Sequence, residues 1–195
     1  MRILLALGLA LIFPTAAFAH PDPTGSLGLI HGFAHPLGGN DHVLAMLAVG
    51  VFAYVLGGRA LFLVPLSFLA MMLVGFALGV SGLDLPMVEV AIAASSIVIG
   101  AAAALGRPMP IAGAMALVGS FAIFHGQAHG AEMPANTAGI LYASGFVGAT
   151  ALLHASGFLA AAGINQILGK HGKLIAQVAG GAFALGGVGV LLGWL

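Results

Sequence analysis

Residues 61–80 read LFLVPLSFLAMMLVGFALGV and contain no charged side chain. A helix of about 20 apolar residues is long enough to cross the hydrocarbon core of a bilayer. The rest of the chain has the same character, because 61% of its 195 residues are hydrophobic and only 5% are charged. A soluble domain has roughly 25% charged residues, so this composition excludes one. It also excludes a nucleic-acid binder, because the formal net charge is zero. The sequence predicts an all-α integral membrane protein.

Glycine, proline and the few charged residues divide the chain into apolar segments separated by short loops. The first segment is long and contains Pro36, Gly38 and Gly39, which favour a broken helix at that point. We therefore predict a polytopic domain over residues 20–195 whose first helix is broken near Pro36–Gly39. Its six transmembrane helices are predicted at roughly 27–56, 61–80, 87–105, 110–130, 137–160 and 173–194.

The N-terminal residues 1–19 have the three parts of a secretory signal peptide. A positive residue, Arg2, precedes the apolar run 3–13, and the segment ends on the small residues Ala17 and Ala19. Cleavage after Ala19 leaves a mature chain that begins at His20 with its N-terminus outside; the alternative is an uncleaved anchor. Lys and Arg concentrate in short cytoplasmic loops. With this topology, the basic residues beyond the leader lie in or beside the predicted inner loops 57–60, 106–109 and 161–172, and they are Arg59, Arg107, Lys170 and Lys173.

The first polar cluster, HGFAHPLGGNDH at residues 31–42, lies near the outer end of the first span. On a continuous helix His31, His35 and His42 would share one face. If the helix breaks, freed carbonyl groups and Asp41 can turn toward the same site. Asp41 is then either a metal ligand or the group that holds the ring of His42, and His31 either joins the site or orients His35.

The second polar cluster, FHGQAHGAE at residues 124–132, closes the fourth span at the same side of the membrane. His125, His129 and Glu132 are spaced i, i+4 and i+7, which predicts a single helical stripe. Two imidazoles one turn apart, followed by a carboxylate, form a chelating arrangement for a divalent cation. The chain has no cysteine. Ligation by nitrogen and oxygen alone suits Ni²⁺, Co²⁺ or Zn²⁺.

Three histidines outside these clusters are weaker candidates. His154 is predicted in the inner half of the fifth span, away from both clusters, where it is either a relay for the ion or for protons, or a structural group bonded to a carbonyl. His20, with its free amine after cleavage, is either a capture site or a residue tolerated next to a cleavage site. His171, between Lys170 and Lys173, is most simply solvated.

The two clusters resemble the signature motifs of the HupE/UreJ family of nickel and cobalt permeases, which are associated with hydrogenase and urease maturation. The matching motifs are His35-x5-Asp41-His42 and FHGxAHGxE at residues 124–132. The resemblance implies a permease that takes up Ni²⁺, or Co²⁺, as its transported substrate across the inner membrane of a bacterium. It also implies a functional link to hydrogenase or urease maturation proteins. The positions that match the family residues handling metal are His35, Asp41, His42, His125, His129 and Glu132.

Two readings from other classes remain open at this point. One is an intramembrane zinc enzyme, although the chain lacks His-Glu-x-x-His and has no Glu between the paired histidines to act as a base. The other is a metal sensor or assembly factor that does not transport. The chain also lacks a phosphate-binding Gly-x4-Gly-Lys-Ser/Thr loop. We predict a protein that is not an enzyme and holds no permanent cofactor.

Overall fold

The computed structural model describes residues 26–135 and 137–195, so the predicted signal peptide at 1–19 and His20 lie outside the described residues. The described chain is helical throughout and contains no strand. Short 3-10 turns occupy His35–Leu37 and Gly169–His171. The helices are α1 Ser26–Ala34, α2 Asn40–Leu56, α3 Ala60–Val80, α4 Val88–Leu105, α5 Ile111–Ala131, α6 Gly139–Leu168 and α7 Gly172–Leu191. The predicted all-α class is confirmed.

The first predicted span is broken into α1 and α2, which are bent by 80° relative to each other. Pro36 has no N–H group with which to continue the hydrogen bonding of α1. Gly39, with φ −107° and ψ 125°, is extended immediately before α2 begins. The predicted break is confirmed, and the alternative of one continuous helical face for His31, His35 and His42 is wrong. His35 lies in the break itself, whereas His42 lies in the first turn of α2.

Five helices, α3 to α7, are long and apolar enough to cross a membrane. The broken pair α1–α2 passes the same test when its two parts are taken together, which gives up to six spans in the described chain. Large apolar side chains project outward from these helices, for example Phe62, Ile140 and Leu185. Such a surface is costly in water and suits lipid. The architecture fits a multi-pass membrane protein.

The helix α6 is longer than predicted. Its expected span ended near residue 160, with an inner loop over 161–172, but the helix continues to Leu168. Residues 161–168 contain neither proline nor a charged side chain, so nothing in this segment ends the helix. It ends where Gly169 adopts φ 53°, a left-handed conformation that favours glycine.

The backbones of α3 and α5 are in direct contact because glycines face each other across the pair. A Cβ atom on Gly75 would meet the carbonyl oxygen of Ile123, and one on Gly126 would meet the carbonyl oxygen of Met72. Small residues at a helix interface permit such an approach in membranes. The contact fixes the C-terminal half of α5, including His125, against α3.

Charged side chains separate to opposite ends of the helices. At one end, Arg107 and Lys173 line a cavity of about 200 Å³ together with the last residues of α2 and the residue that follows α4. At the other end, the first residues of α2 and α4 contribute Asp41 and Glu89 to a cavity of about 340 Å³, which Glu132 also lines. The basic end corresponds to the predicted inner loops, and the acidic end carries the histidine clusters.

Candidate metal centre

Four histidines from the break of the first span, α2 and α5 lie in contact with one another. The ring centroids of His35 and His129 are 4.9 Å apart, those of His129 and His42 are 5.1 Å apart, and those of His42 and His125 are 4.7 Å apart. We call His35, His129, His42 and His125 the histidine column. It runs from the partly exposed His35 to the fully buried His125. The two motifs, more than eighty residues apart in sequence, thus form one site.

A hydrogen bond between His35 and Glu132 closes the outer end of the histidine column. The Nε2 atom of His35 lies 2.9 Å from Oε2 of Glu132, and these side chains are 31% and 53% exposed. The carboxylate can only accept when ionised, so His35 donates from Nε2. Glu132 follows the last turn of α5, one turn after His129, as the i+7 spacing from His125 predicted. His35 of the first cluster and Glu132 of the second cluster are therefore in direct contact.

Asp41 holds the ring of His42. Its Oδ1 atom accepts a hydrogen bond from the backbone N–H of His42 at 2.7 Å and lies 3.0 Å from Nδ1 of the same residue. An ionised carboxylate has no proton to donate, so Nδ1 of His42 carries the hydrogen. The lone pair of His42 is then on Nε2. Of the two roles open for Asp41, this geometry favours orienting the imidazole.

The interior of the histidine column contains unpartnered ring nitrogens. His125 and His129 are fully buried. Among the described residues, Nε2 of His42, Nδ1 of His125 and both ring nitrogens of His129 have no hydrogen-bond partner. Leaving a buried polar atom unpaired costs about 1–3 kcal/mol, so four such atoms in one place are expensive for a purely structural cluster. Imidazole nitrogens with free lone pairs are ligands for divalent transition metals.

The column is not arranged as a finished coordination sphere. Across residues 26–135 and 137–195, no three His, Asp or Glu side chains form a group that could hold a metal ion. Glu132 bonds His35 and Asp41 bonds His42, so neither carboxylate is free. The rings of His42 and His125 meet edge to face. Coordination of an ion therefore requires side-chain rotation, beginning with the exposed pair of His35 and Glu132.

His154 lies one aromatic ring beyond the column. The ring of Phe68 has its centroid 5.5 Å from that of His125 and 5.1 Å from that of His154. The expectation that His154 lies away from both clusters is thus wrong, because a single phenyl ring separates it from His125. It is buried, and neither of its ring nitrogens has a hydrogen-bond partner among the described residues. The structural alternative, a bond to a neighbouring carbonyl, finds no support in these contacts.

Two cavities flank the bonded side chains of His35 and Glu132. One, of about 310 Å³, is also lined by His31 and Tyr142. The other is the cavity of about 340 Å³ at the acidic end. His31 is exposed, and the partner of His35 is Glu132, so His31 lines the mouth and does not hold the ring of His35. His171 is exposed in the 3-10 turn before α7, at the basic end.

Three residues at the site were not among the predicted site residues. Ser95 of α4 is buried, with its Oγ atom 2.9 Å from Nε2 of His125. Glu89 lines the cavity of about 340 Å³, and the Tyr142 hydroxyl is buried without a partner among the described residues. Glu89 stands at the beginning of the predicted span 87–105, so the sequence alone could have placed this acid at the outer end of the helices. No sequence signal separates Ser95 from the adjacent Ser96.

Comparison with known proteins identifies the family of the chain. The sequence profile described as "HupE / UreJ protein" matches residues 7–191. A relative, "Protein HupE" of Rhizobium leguminosarum bv. viciae, is 42% identical over 185 residues, which cover 94% of each chain. No solved structure matches the chain. The family is associated with nickel and cobalt uptake for hydrogenase and urease, and its members are membrane accessory or transport proteins. The chain belongs to the HupE/UreJ family.

Proposed function

We propose that this protein is a permease that imports Ni²⁺, or Co²⁺, from the periplasm to the cytoplasm. The observation that carries the proposal is the histidine column, in which unpartnered imidazole nitrogens of α2 and α5 extend from an acidic mouth into the buried interior. A buried polar path of this kind is expensive in a membrane protein and marks an ion pathway. The transported metal is a substrate, and no resident cofactor is part of the proposal.

Capture takes place at the acidic mouth. Asp41, Glu89 and Glu132 line one cavity there, and carboxylates concentrate a hydrated divalent cation by attraction through a partly solvated space. His31, which lines the adjoining cavity, supplies a further imidazole ligand at the same face. His20, which becomes the N-terminal residue if the predicted leader is cleaved, is a further candidate for capture. The ion enters with most of its water, because the cavities are open and polar enough to hold it.

Transfer into the protein begins when the ion separates His35 from Glu132. Both groups can then exchange their mutual bond for bonds to the ion. His129 lies one ring further in and His42 is the next ring, and their free nitrogens replace water molecules of the hydration shell. His125 is the last donor of the column. Successive imidazoles at a spacing of about 5 Å allow the ion to be passed on without leaving it bare in a low-dielectric interior.

Beyond the column the ion passes Phe68 and reaches His154, from which it is released toward the basic end. The inside-negative potential favours this direction, since moving one positive charge inward gains about 2.3 kcal/mol per 100 mV. A divalent ion gains twice as much. The basic residues Arg59, Arg107 and Lys173 at that end support an orientation in the inner membrane with the mature N-terminus in the periplasm, because basic residues concentrate in cytoplasmic loops.

The donor set narrows the class of ion. Imidazole and carboxylate groups without sulfur suit Ni²⁺, Co²⁺ and Zn²⁺, and they do not suit a path for Cu⁺. Delivery of such an ion to the cytoplasm would supply the maturation of a nickel enzyme, a hydrogenase or a urease. The association of the family with these enzymes supports that assignment.

Uptake of radiolabelled nickel by proteoliposomes that contain only this protein tests the proposal. We expect accumulation by the wild type and loss of most of it in His42→Ala and His129→Ala. His171→Ala, which removes an exposed imidazole at the opposite end, is the matched control and should transport normally. Nickel binding without accumulation would contradict transport and favour a sensor or assembly factor. Unchanged transport in both column variants would refute the proposed path.

A further inference from the structure

The hydroxyl of Ser95 lies between a backbone carbonyl of its own helix and the innermost ring of the histidine column. Ser95 Oγ donates to the carbonyl oxygen of Ile92 at 2.6 Å, a common bond of serine to the preceding turn. The same oxygen is 2.9 Å from Nε2 of His125. Both side chains are fully buried, so solvent does not compete for these bonds.

The number of protons in this contact decides the tautomer of His125. A serine hydroxyl has one hydrogen, and Ser95 uses it in the bond to Ile92. Toward His125, Ser95 Oγ can then only accept, so Nε2 of His125 carries a hydrogen. If Ser95 instead donated its hydrogen to Nε2 of His125, Oγ of Ser95 and the carbonyl oxygen of Ile92 would lie 2.6 Å apart with no hydrogen between them. That arrangement would also bury a protonated Nδ1 that has no acceptor among the described residues.

We propose that Ser95 is a positioning residue that holds His125 in its Nε2–H tautomer, so that Nδ1 of His125 binds the transported ion. The inference rests on the proposed function and adds an atom-level assignment to it. Nδ1 of His125 is buried and has no partner in the described chain, and its ring lies 4.7 Å from that of His42. Asp41 leaves the lone pair of His42 on Nε2 in the same way. Two helices thus each supply one oriented imidazole.

Ser96 provides a matched comparison. It is also fully buried in α4, and its hydroxyl donates to the carbonyl oxygen of Ala93 at 2.8 Å. Among the described residues, its hydroxyl makes no hydrogen bond to a histidine. Removal of either hydroxyl deletes one serine-to-backbone bond. Only removal of the Ser95 hydroxyl also takes away the acceptor for Nε2–H of His125. A difference between the two variants therefore isolates the contact with the ring.

The test is the ¹⁵N NMR spectrum of the metal-free protein with ¹⁵N-labelled histidine, in lipid nanodiscs. The His125 signals are assigned by their absence from His125→Ala. We expect a protonated Nε2 and an unprotonated Nδ1 in the wild type, in Ser95→Thr and in Ser96→Ala. Ser95→Ala should show the other tautomer or a mixture. Nickel affinity, measured by competition with a chromophoric chelator, should fall about 10- to 100-fold in Ser95→Ala and recover in Ser95→Thr.

Each outcome decides a separate point. A protonated Nδ1 in the wild type, or an unchanged tautomer in Ser95→Ala, would overturn the role of Ser95. A changed tautomer with unchanged nickel affinity would overturn the assignment of Nδ1 as the binding atom. The spectrum is recorded without metal, so it tests the role of Ser95 even if the wild type fails to accumulate nickel. That failure would refute the proposed function and not the role of Ser95.

Discussion

Replacement of Gly126 by alanine tests how closely α3 and α5 must approach for the site to work. The added Cβ would lie 2.8 Å from the backbone nitrogen of Phe76 and would also meet the carbonyl oxygen of Met72. An ordinary contact begins at about 3.4 Å, so the two backbones must separate by at least ~0.6 Å. Metal–ligand distances tolerate changes of about 0.2 Å. The displacement of the adjacent His125 therefore exceeds what coordination allows.

Two measurements follow from Gly126→Ala. Overpacking lowers the free energy of unfolding by about 1–3 kcal/mol. The better helix propensity of alanine offsets up to about 1 kcal/mol of this loss. We expect a lower thermal unfolding midpoint in detergent and a fall in nickel uptake by proteoliposomes of at least about tenfold. Uptake is normalised to the amount of folded protein, so loss of stability alone does not account for the fall.

The control is Gly113→Ala on the same helix. A Cβ there would lie 3.6 Å from the side chain of Met109 and would meet no backbone atom within 4 Å outside its own helix. Both variants gain the same helix propensity, so they differ only in what the new methyl group meets. Gly113→Ala should keep or slightly raise stability and transport normally. Normal uptake and an unchanged midpoint in Gly126→Ala would refute the close approach of α3 and α5.

Three further predictions concern the path of the ion. Glu132→Gln removes the charge beside His35 and should raise the half-saturating nickel concentration about fivefold to thirtyfold, because a half-exposed carboxylate contributes on the order of 1 kcal/mol per unit of cation charge. Asp84→Asn removes the same charge elsewhere and is the control. Equal half-saturating concentrations for the two variants would contradict capture by Glu132. His154→Ala should lower the maximal uptake rate on the order of tenfold and leave equilibrium nickel binding unchanged, whereas an unchanged rate would remove His154 from the path. An inside-negative potential of about 100 mV, set by a potassium gradient and valinomycin, should raise nickel accumulation by up to about three orders of magnitude, and equal accumulation at an inside-positive potential would exclude electrogenic import.

Local features of the site could be predicted from the sequence because they depend on one helix at a time. The spacing of His125 and His129 places them one turn apart wherever α5 lies, and both do contact His42. The break of the first span follows from Pro36 and Gly39 by their backbone chemistry alone. These features need only the geometry of a single chain segment.

Contacts between helices could not be predicted in the same way. Ser95 and Ser96 are adjacent serines in an apolar helix, and only the rotation of α4 against α5 decides which of them reaches His125. The depth of His154 followed from its position along α6, but its separation from His125 by a single ring did not. That separation depends on how α3, which carries Phe68, packs against α5 and α6. Such rotations and crossings result from packing between helices, which periodicity does not encode.

The length of α6 makes the protein sensitive to the thickness of its bilayer. The helices α3, α4, α5 and α7 have 18 to 21 residues, or about 27–32 Å at 1.5 Å per residue, which matches a hydrocarbon core of about 30 Å. The 30 residues of α6 measure about 45 Å, so this helix must tilt or project beyond the core. Because α6 carries both Tyr142, which lines an outer cavity, and His154 at the inner end of the proposed path, we expect the acyl-chain length of the lipid to affect how the two ends of that path are aligned.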